Sequence, residues 1–401
     1  MKNDFPIFKT YPDLVYLDSA ATSQKPQSVI DAVSQFYATN NANIHRGIYD
    51  LSQSATDHFE NTRKKVADFI GAKDASEIIF TAGATEAFNY VAFGWAKKYL
   101  KKGDIVVLSE MEHHSNIVPW QMLEKEIGIE MVYLPINDEF RLDYKKITEL
   151  QIKKTKLVSI CHASNVLGTV NPVEEIIPYF KKLNPEIKFC IDAAQSIPHM
   201  PIDVSSLNID FLAFSSHKML GPSGVGVLYA KKELLEVMDP FVVGSHMIRT
   251  VTKEKATWAD IPDKFEPGTR NLEGVIGLGA AIDYLQKVGF DSIQKNELEL
   301  TKYTLDMFQS QKNVKLFGPS NSESRLCVFS FAVGAAHSHD VSEILNRSHI
   351  AVRAGHHCAM PLMECLGLSG TVRASLYLYN LKEDIDRLQE GIEEVKKTFK
   401  I

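Results

Sequence analysis

Six short apolar runs most constrain what this chain can fold into: SEIIFTAG, GDIVVLSEME, IEMVYLPI, TKLVSICHAS, IKFCIDAAQ and IDFLAFSSH. Each is rich in β-branched or aromatic residues and is closed by a polar cluster, as buried strands are. Their apolar positions are continuous rather than alternating, which suits a parallel sheet covered on both faces. Between them SVIDAVSQFYATN, ATEAFNYVAFGWAKKYL, NIVPWQMLEKEIG and EEIIPYFKKLN repeat their apolar residues at helical spacing. The expected fold class is therefore α/β, a large domain with a mainly parallel sheet and helices on both faces. From GVIGLGAAIDYLQKVG onward the pattern changes to two long amphipathic stretches, 291–312 and 382–399, around RLCVFSFAV and AVRAGHHCAMP. That change predicts a smaller α+β C-terminal domain from about residue 285.

Composition narrows the function classes. With 401 residues, 45% of them hydrophobic, the chain can bury large cores without a disulfide or metal staple. A net charge of -6 gives no reason to expect nucleic acid or an anionic membrane surface as a partner. The five cysteines include no CxxC pair, so reduced thiols are expected. The opening MKNDFPIFKTYPDLVYLDSAAT has no apolar signal-like stretch, and no uninterrupted run suits a membrane span. A cytoplasmic location is the expectation.

In an open parallel sheet, ligands bind at the carboxyl ends of the strands, so the residues after each run carry the chemistry. Gly83, Ala84 and Thr85 follow the first, where free N–H groups at a helix start can hold a phosphate. His113 and His114 end the second; a histidine there can stack on a ring and move protons. Asp192 closes a later run and calls for a cationic partner if buried. Lys218 follows the next run, before GPSGVG, flanked by Ser215 and His217. The glycines come after the lysine, the reverse of a nucleotide-binding P-loop, and a lysine in this place can bond a carbonyl carbon. Taken singly, each also reads as an ordinary cap, core histidine or surface lysine. Together they fit one ligand with an aldehyde, a phosphate and a basic ring nitrogen, which describes pyridoxal 5'-phosphate.

The stretches YLDSAATSQKP, HRGIYDLSQSAT, MEHHSNIVPWQ, SNVLGTVNP, IDAAQS, SSHKMLGPSGVG, FEPGTRNLEG and VRAGHHCAMP extend this argument. In that order they resemble the aminotransferase class V enzymes, fold type I of the pyridoxal-phosphate enzymes, and most closely the SufS-type cysteine desulfurases. The resemblance implies an aspartate-aminotransferase-like architecture, with residues 18–284 binding the cofactor and residues 1–17 and 285–401 forming the small domain. It implies that Lys218 binds the cofactor, that Asp192 pairs with its ring nitrogen, and that Gln195 bonds its ring hydroxyl. His113 would stack on the ring. Ala84, Thr85, Ser215 and His217 would hold the phosphate, with Thr269 reaching the phosphate of the other subunit of a homodimer. Arg373 and Asn165, with Arg353 nearby, would bind the substrate carboxylate.

Cys358 separates this resemblance from an ordinary aminotransferase. It lies among Arg353, His356 and His357, and cationic neighbours favour the nucleophilic thiolate. A metal site on the same residues lacks a fourth ligand. Cys161, Cys190 and Cys327 sit in apolar runs and are expected to be inert, while Cys365 has no cationic company. The implied reaction takes L-cysteine to L-alanine, leaves sulfur as a persulfide on Cys358, and passes it to a SufE- or SufU-type acceptor for iron–sulfur cluster assembly. L-Selenocysteine is an alternative substrate that the sequence does not separate. Tyr49, Ala84 and Arg270 depart from the residues common in such proteins.

Overall fold

A computed structural model describes residues 1–401. The expected strands form one seven-stranded sheet: β1 (Ile78–Thr81), β2 (Ile105–Ser109), β3 (Glu130–Leu134), β4 (Thr155–Cys161), β5 (Lys188–Asp192), β6 (Phe211–Ser215) and β7 (Gly226–Ala230). Their spatial order is β1-β7-β6-β5-β4-β2-β3. Only β7 runs against its neighbours; the other pairings are parallel.

Both faces of the sheet are buried, which explains the unbroken apolar runs. Ile79, Val106, Leu108, Leu157, Phe211 and Leu228 face one core with Phe88, Trp95 and Trp120. Their alternate neighbours, such as Phe80, Val107, Val158, Ile191, Phe214 and Val227, face a larger core with Phe59, Ile176 and Leu278. The helical stretches appear at Gln27–Thr39, Val118–Ile127, Val173–Leu183 and Leu272–Val288. The stretch after Gly83 is helical from Ala84 to Tyr99, with a π-helical middle over Tyr90–Ala96.

A 21-residue helix, Asp50–Ile70, has no counterpart among the expected elements. Its buried face mixes Ala55, Phe59, Val66 and Ile70 with Ser52, Thr62 and Arg63, so the apolar period is diluted. Arg63 is buried because Glu266 meets it with two hydrogen bonds, of 2.7 and 2.9 Å, and holds its guanidinium charged.

The C-terminal region forms a four-stranded sheet of β8 (Val314–Phe317), β9 (Val328–Val333), β10 (Arg353–Gly355) and β11 (Thr371–Ser375), ordered β8-β9-β11-β10 and antiparallel throughout. Helices Phe290–Ser310, Ser338–Arg347 and Lys382–Phe399 cover it around a separate core. Val15 and Leu17 join that core, and Val15–Tyr16 pairs with Ile350–Ala351. No helix is long and apolar enough to cross a membrane.

Candidate active site

The carboxyl ends of the strands open on a cavity of about 180 Å³. Ala84, Thr85, His113, Asn165, Asp192, Gln195, Ser215, His217, Lys218 and Arg353 line it, with Ala20, Ser115 and Cys161. Residues expected separately from distant stretches therefore share one wall. A roomier hollow of about 270 Å³ lies beside Phe36 and Ile276, but its lysine, Lys65, is paired with Asp283 on the surface. Chemistry rather than volume selects the strand-end cavity.

The backbone explains its phosphate-sized corner. Gly226 faces Thr81 across β1 and β7, and a Cβ on Gly226 would stand 2.4 Å from the Cα of Gly83. The missing side chain lets the loop lie flat on the sheet. It brings the Ala84 N–H to within 2.9 Å of Ser215 Oγ at the helix start. His217 stands next to this corner, its ring held neutral, down to about 4, by burial and then by Lys218 and Lys25.

Two expectations about strand ends need correction. The histidines do not end a strand: β2 stops at Ser109, and His113 caps a short 3-10 turn, His114–Asn116. The turn forms because the buried Glu112 carboxylate accepts from Ser109 Oγ, from Asn116 Nδ2 at 2.7 Å and from the Cys161 N–H at 2.9 Å. Lys218 likewise lies past β6, in the turn Ser216–Lys218.

The electrostatics fit a Schiff-base lysine. Burial pushes the Lys218 amine down to about 8 against the pull of Asp192, with Arg373 and Arg353 adding repulsion. Asp192 is buried, accepts the Ala194 N–H at 2.9 Å, and is raised by desolvation, which Lys218 partly offsets. His113 is pushed down to about 3 by burial and then by Lys218. Its Nδ1 accepts from the Ser115 N–H at 3.2 Å, which leaves the ring proton on Nε2. Ser115 Oγ links that ring to Thr85 Oγ1, at 3.0 and 2.7 Å. With the histidines neutral, Lys218, Arg353 and Arg373 outnumber Asp192 and Asp18, so the region suits an anionic ligand. An amine beside a buried acid, a hydroxyl and amide corner, and surplus positive charge together fit pyridoxal phosphate.

Arg373 lies behind the wall, fully buried. Its Nη1 donates to the Asn165 carbonyl at 3.0 Å and its Nη2 to Asp18 at 2.8 Å, while Nε has no protein partner. Asp18 escaped the sequence reading although YLDSAAT contains it; its arginine is 355 residues away, and nothing local marks the pair. Gln195 donates to the Ala20 carbonyl at 2.8 Å. Thr269 is elsewhere: it lines a second hollow of about 80 Å³ with His45, Arg46, His246 and Arg270.

Cys358 is not among the residues that line the cavity; it is partly exposed, and its Sγ lies 3.4 Å from an Nη of Arg353, which does line it. The other thiols differ. Burial holds the Cys161, Cys190 and Cys327 thiols well above their usual range. Cys161 nevertheless lines the cavity, a position its apolar run did not announce. Cys365 is exposed, and desolvation and the Glu110 carboxylate raise it.

Comparison with known proteins agrees with this geometry. Residues 15–388 match the aminotransferase class-V family. A probable cysteine desulfurase of Halalkalibacterium halodurans is 48% identical over 386 residues, 96% of this chain and 94% of that protein. A cysteine desulfurase of Escherichia coli is 44% identical over 98% of this chain and 97% of its own length. Among solved structures, the apo cysteine desulfurase from Thermococcus onnurineus superposes with a TM-score of 0.94 at 40% identity, covering 99% of this chain and 97% of that one. The Escherichia coli cysteine desulfurase CsdA gives 0.90 at 35% identity, over 99% and 98%. The chain belongs to the aminotransferase class-V family and, within it, to the cysteine desulfurases.

Proposed function

We propose that this protein is a pyridoxal-phosphate-dependent cysteine desulfurase, converting L-cysteine to L-alanine with sulfur held as a persulfide on Cys358. One observation carries the reading beyond family membership. The same arginine, Arg353, lines the lysine cavity and stands 3.4 Å from the thiol. A carbonyl-binding amine and a nucleophilic thiol are thereby joined through one arginine.

Pyridoxal phosphate, when bound, supplies a carbonyl for the substrate amine and a ring that takes up the electron pair from Cα. Lys218 Nζ would hold that carbonyl carbon and, when free, would take the Cα proton of the substrate. Asp192 keeps the ring nitrogen protonated, a task its buried position beside Lys218 supports. His113 would stack on the ring and, through Nε2, assist proton transfers to and from the substrate. Ala84, Thr85, Ser215 and His217 hold the phosphate, and Gln195 the ring hydroxyl. Asn165 and Arg353, which line the cavity, would bind the substrate carboxylate, with Arg373 behind the wall adding positive charge. Cys358 Sγ, as thiolate, would attack the substrate sulfur, forming the sulfur–sulfur bond as the carbon–sulfur bond breaks; the pair from that bond would stay with the alanine β-carbon, which takes up a proton.

We also propose the division into a cofactor domain, 18–284, and a small domain of 1–17 and 285–401, supported by the core of Val15, Leu17 and residues 300–395, which takes nothing from 18–284, although Phe5, Phe8, Leu362 and Tyr377 pack into the large-domain core. A homodimer is supported by Thr269, which lies off its own chain's cavity, and by the exposed Ile48, Tyr49, Leu51, Val243 and Val251. A small SufE- or SufU-type acceptor would take the sulfur from Cys358, which is partly exposed. The deciding experiment incubates the yellow protein with L-cysteine, with and without reductant, and measures alanine together with persulfide on Cys358. Alanine without a Cys358 persulfide would sink the proposal.

A further inference from the structure

Of the two histidines in the EHHSN turn, His114 is the one that the reaction above leaves without a task. Its surroundings assign it to the thiol loop. The His114 N–H donates to the Cys358 carbonyl at 2.8 Å. Its Nε2 accepts the Met360 N–H at 2.9 Å. Both residues flanking Ala359 are thus tied to one histidine, 246 positions away in the chain from Met360. On the loop's own side, His356 Nδ1 accepts the Cys358 N–H at 3.2 Å, and its ring lies 5.8 Å from that of His114.

The loop needs such restraint. His357 and Cys358 both adopt left-handed backbone, with φ of 53° and 58°. Left-handed backbone is costly for residues other than glycine, so two in succession persist only where contacts over-determine them. The helix they lead into, Met360–Cys365, is six residues long and has no side-chain cap of its own. Met360 is exposed, so its N–H would otherwise turn to water. Burial and the neighbouring His356 hold the His114 ring below its ordinary value, which keeps Nε2 an acceptor.

We propose that His114 is a positioning residue for the desulfurase nucleophile: it clamps the backbone on both sides of Ala359 to the large-domain turn and so fixes where Cys358 Sγ is presented. The proposal rests on the persulfide reading of Cys358. It assigns adjacent histidines of one turn to different partners, His113 to the cavity and His114 to the thiol.

The test uses the full-length holoenzyme with His114→Phe, which removes the acceptor, and His114→Gln, which keeps one at similar reach. In H114F we expect unchanged bound cofactor and KM, and kcat for persulfide formation lower by about tenfold, the equivalent of one lost hydrogen bond. Amide exchange across residues 357–361 should rise by a similar factor, and H114Q should recover most of both losses. Wild-type kcat and exchange in H114F would overturn the clamp. So would equal damage in H114F and H114Q with loss of cofactor, which marks a merely structural role. If the wild-type enzyme formed no persulfide on Cys358, the desulfurase reading would fall, while the exchange data would still decide whether His114 holds the loop.

Discussion

The strand-end cavity and the thiol loop are neighbours built in opposite ways. The cavity stands on the ends of β4, β5 and β6, which are almost wholly buried; Asp192 ends β5, and Lys218 follows its neighbour β6. Its groups are placed by backbone that has no other position to take. The loop from His356 to Ala359 lies between a three-residue strand and a six-residue helix and runs through two left-handed residues. It is held by Asn165 Nδ2 on the His357 carbonyl, by His114 and by Arg353. The cofactor chemistry is thus given rigid support, while the nucleophile is presented by a few long-range hydrogen bonds. Damage to the first should abolish the reaction; damage to the second should uncouple sulfur transfer from a cofactor site that remains intact.

The largest effect tests the cavity. Lys218→Ala removes both the covalent anchor and the base for Cα, so alanine formation should fall about 10⁴-fold. Chromatographic assay of alanine settles this, and a variant within tenfold of wild type removes Lys218 from its role. Cys358→Ala tests the loop. Its cofactor spectrum should match wild type while alanine release falls about 10³-fold and trapped persulfide disappears. Cys365→Ser is the control, because that thiol is exposed and lacks a cation. Persulfide on Cys365 instead of Cys358 would reverse the assignment.

Asp192→Asn separates charge from shape within the cavity. It should lower turnover about 10²-fold with cofactor still bound, because the ring nitrogen loses its anion. In the cofactor-free protein, the attraction that holds the Lys218 amine up is lost as well. The midpoint of its reaction with an acylating reagent should move below about 8. An unchanged midpoint would show that Asp192 does not act on Lys218. Thr269→Ala asks whether a second copy completes the cavity. The dimer should persist by light scattering, and cofactor should dissociate about tenfold more readily, as expected for one lost hydrogen bond to phosphate.

The same contrast explains what the sequence made legible. Six strands and seven lining residues, Ala84, Thr85, His113, Asp192, Ser215, His217 and Lys218, could be read because strand identity and the stretch after each strand are local properties, carried by unbroken apolar runs such as IDFLAF; Asn165, Gln195 and Arg353 came only through the resemblance. What escaped was non-local. Asp18 is defined by Arg373, and the left-handed backbone at His357 and Cys358 belongs to residues that carry no glycine signal. The helix Asp50–Ile70 was hidden because Arg63, a charged residue on its buried face, is satisfied by Glu266, 203 positions on. The place of the two histidines was misjudged for a similar reason. Glu112 is wholly buried, and its hydrogen bonds to Asn116 and to the Cys161 N–H fold the turn.

The smallest effect uses pH to compare the two regions. His162 follows β4 in the sheet region, buried, with Nδ1 unpartnered and the ring held down to about 4 by burial. His357 belongs to the loop and is held down to about 2 by burial and then by Arg373 and Arg353. Both have folded-state values below the ordinary 6.5, so the unfolded chain binds protons first as the medium is acidified. Stability should be full above about pH 6.5 and be lost as pH falls from there toward 4, by at most about 1.4 kcal/mol per pH unit for one fully buried histidine. His162→Met should therefore flatten the dependence of the melting temperature on pH between 7 and 5. His357 should contribute to that global slope only if the loop unfolds together with the sheet. If the loop opens first, as its sparse support implies, acid should raise amide exchange at residues 356–360 before the melting temperature moves. Simultaneous onset of the two would show that the loop is as firmly built as the cavity it serves.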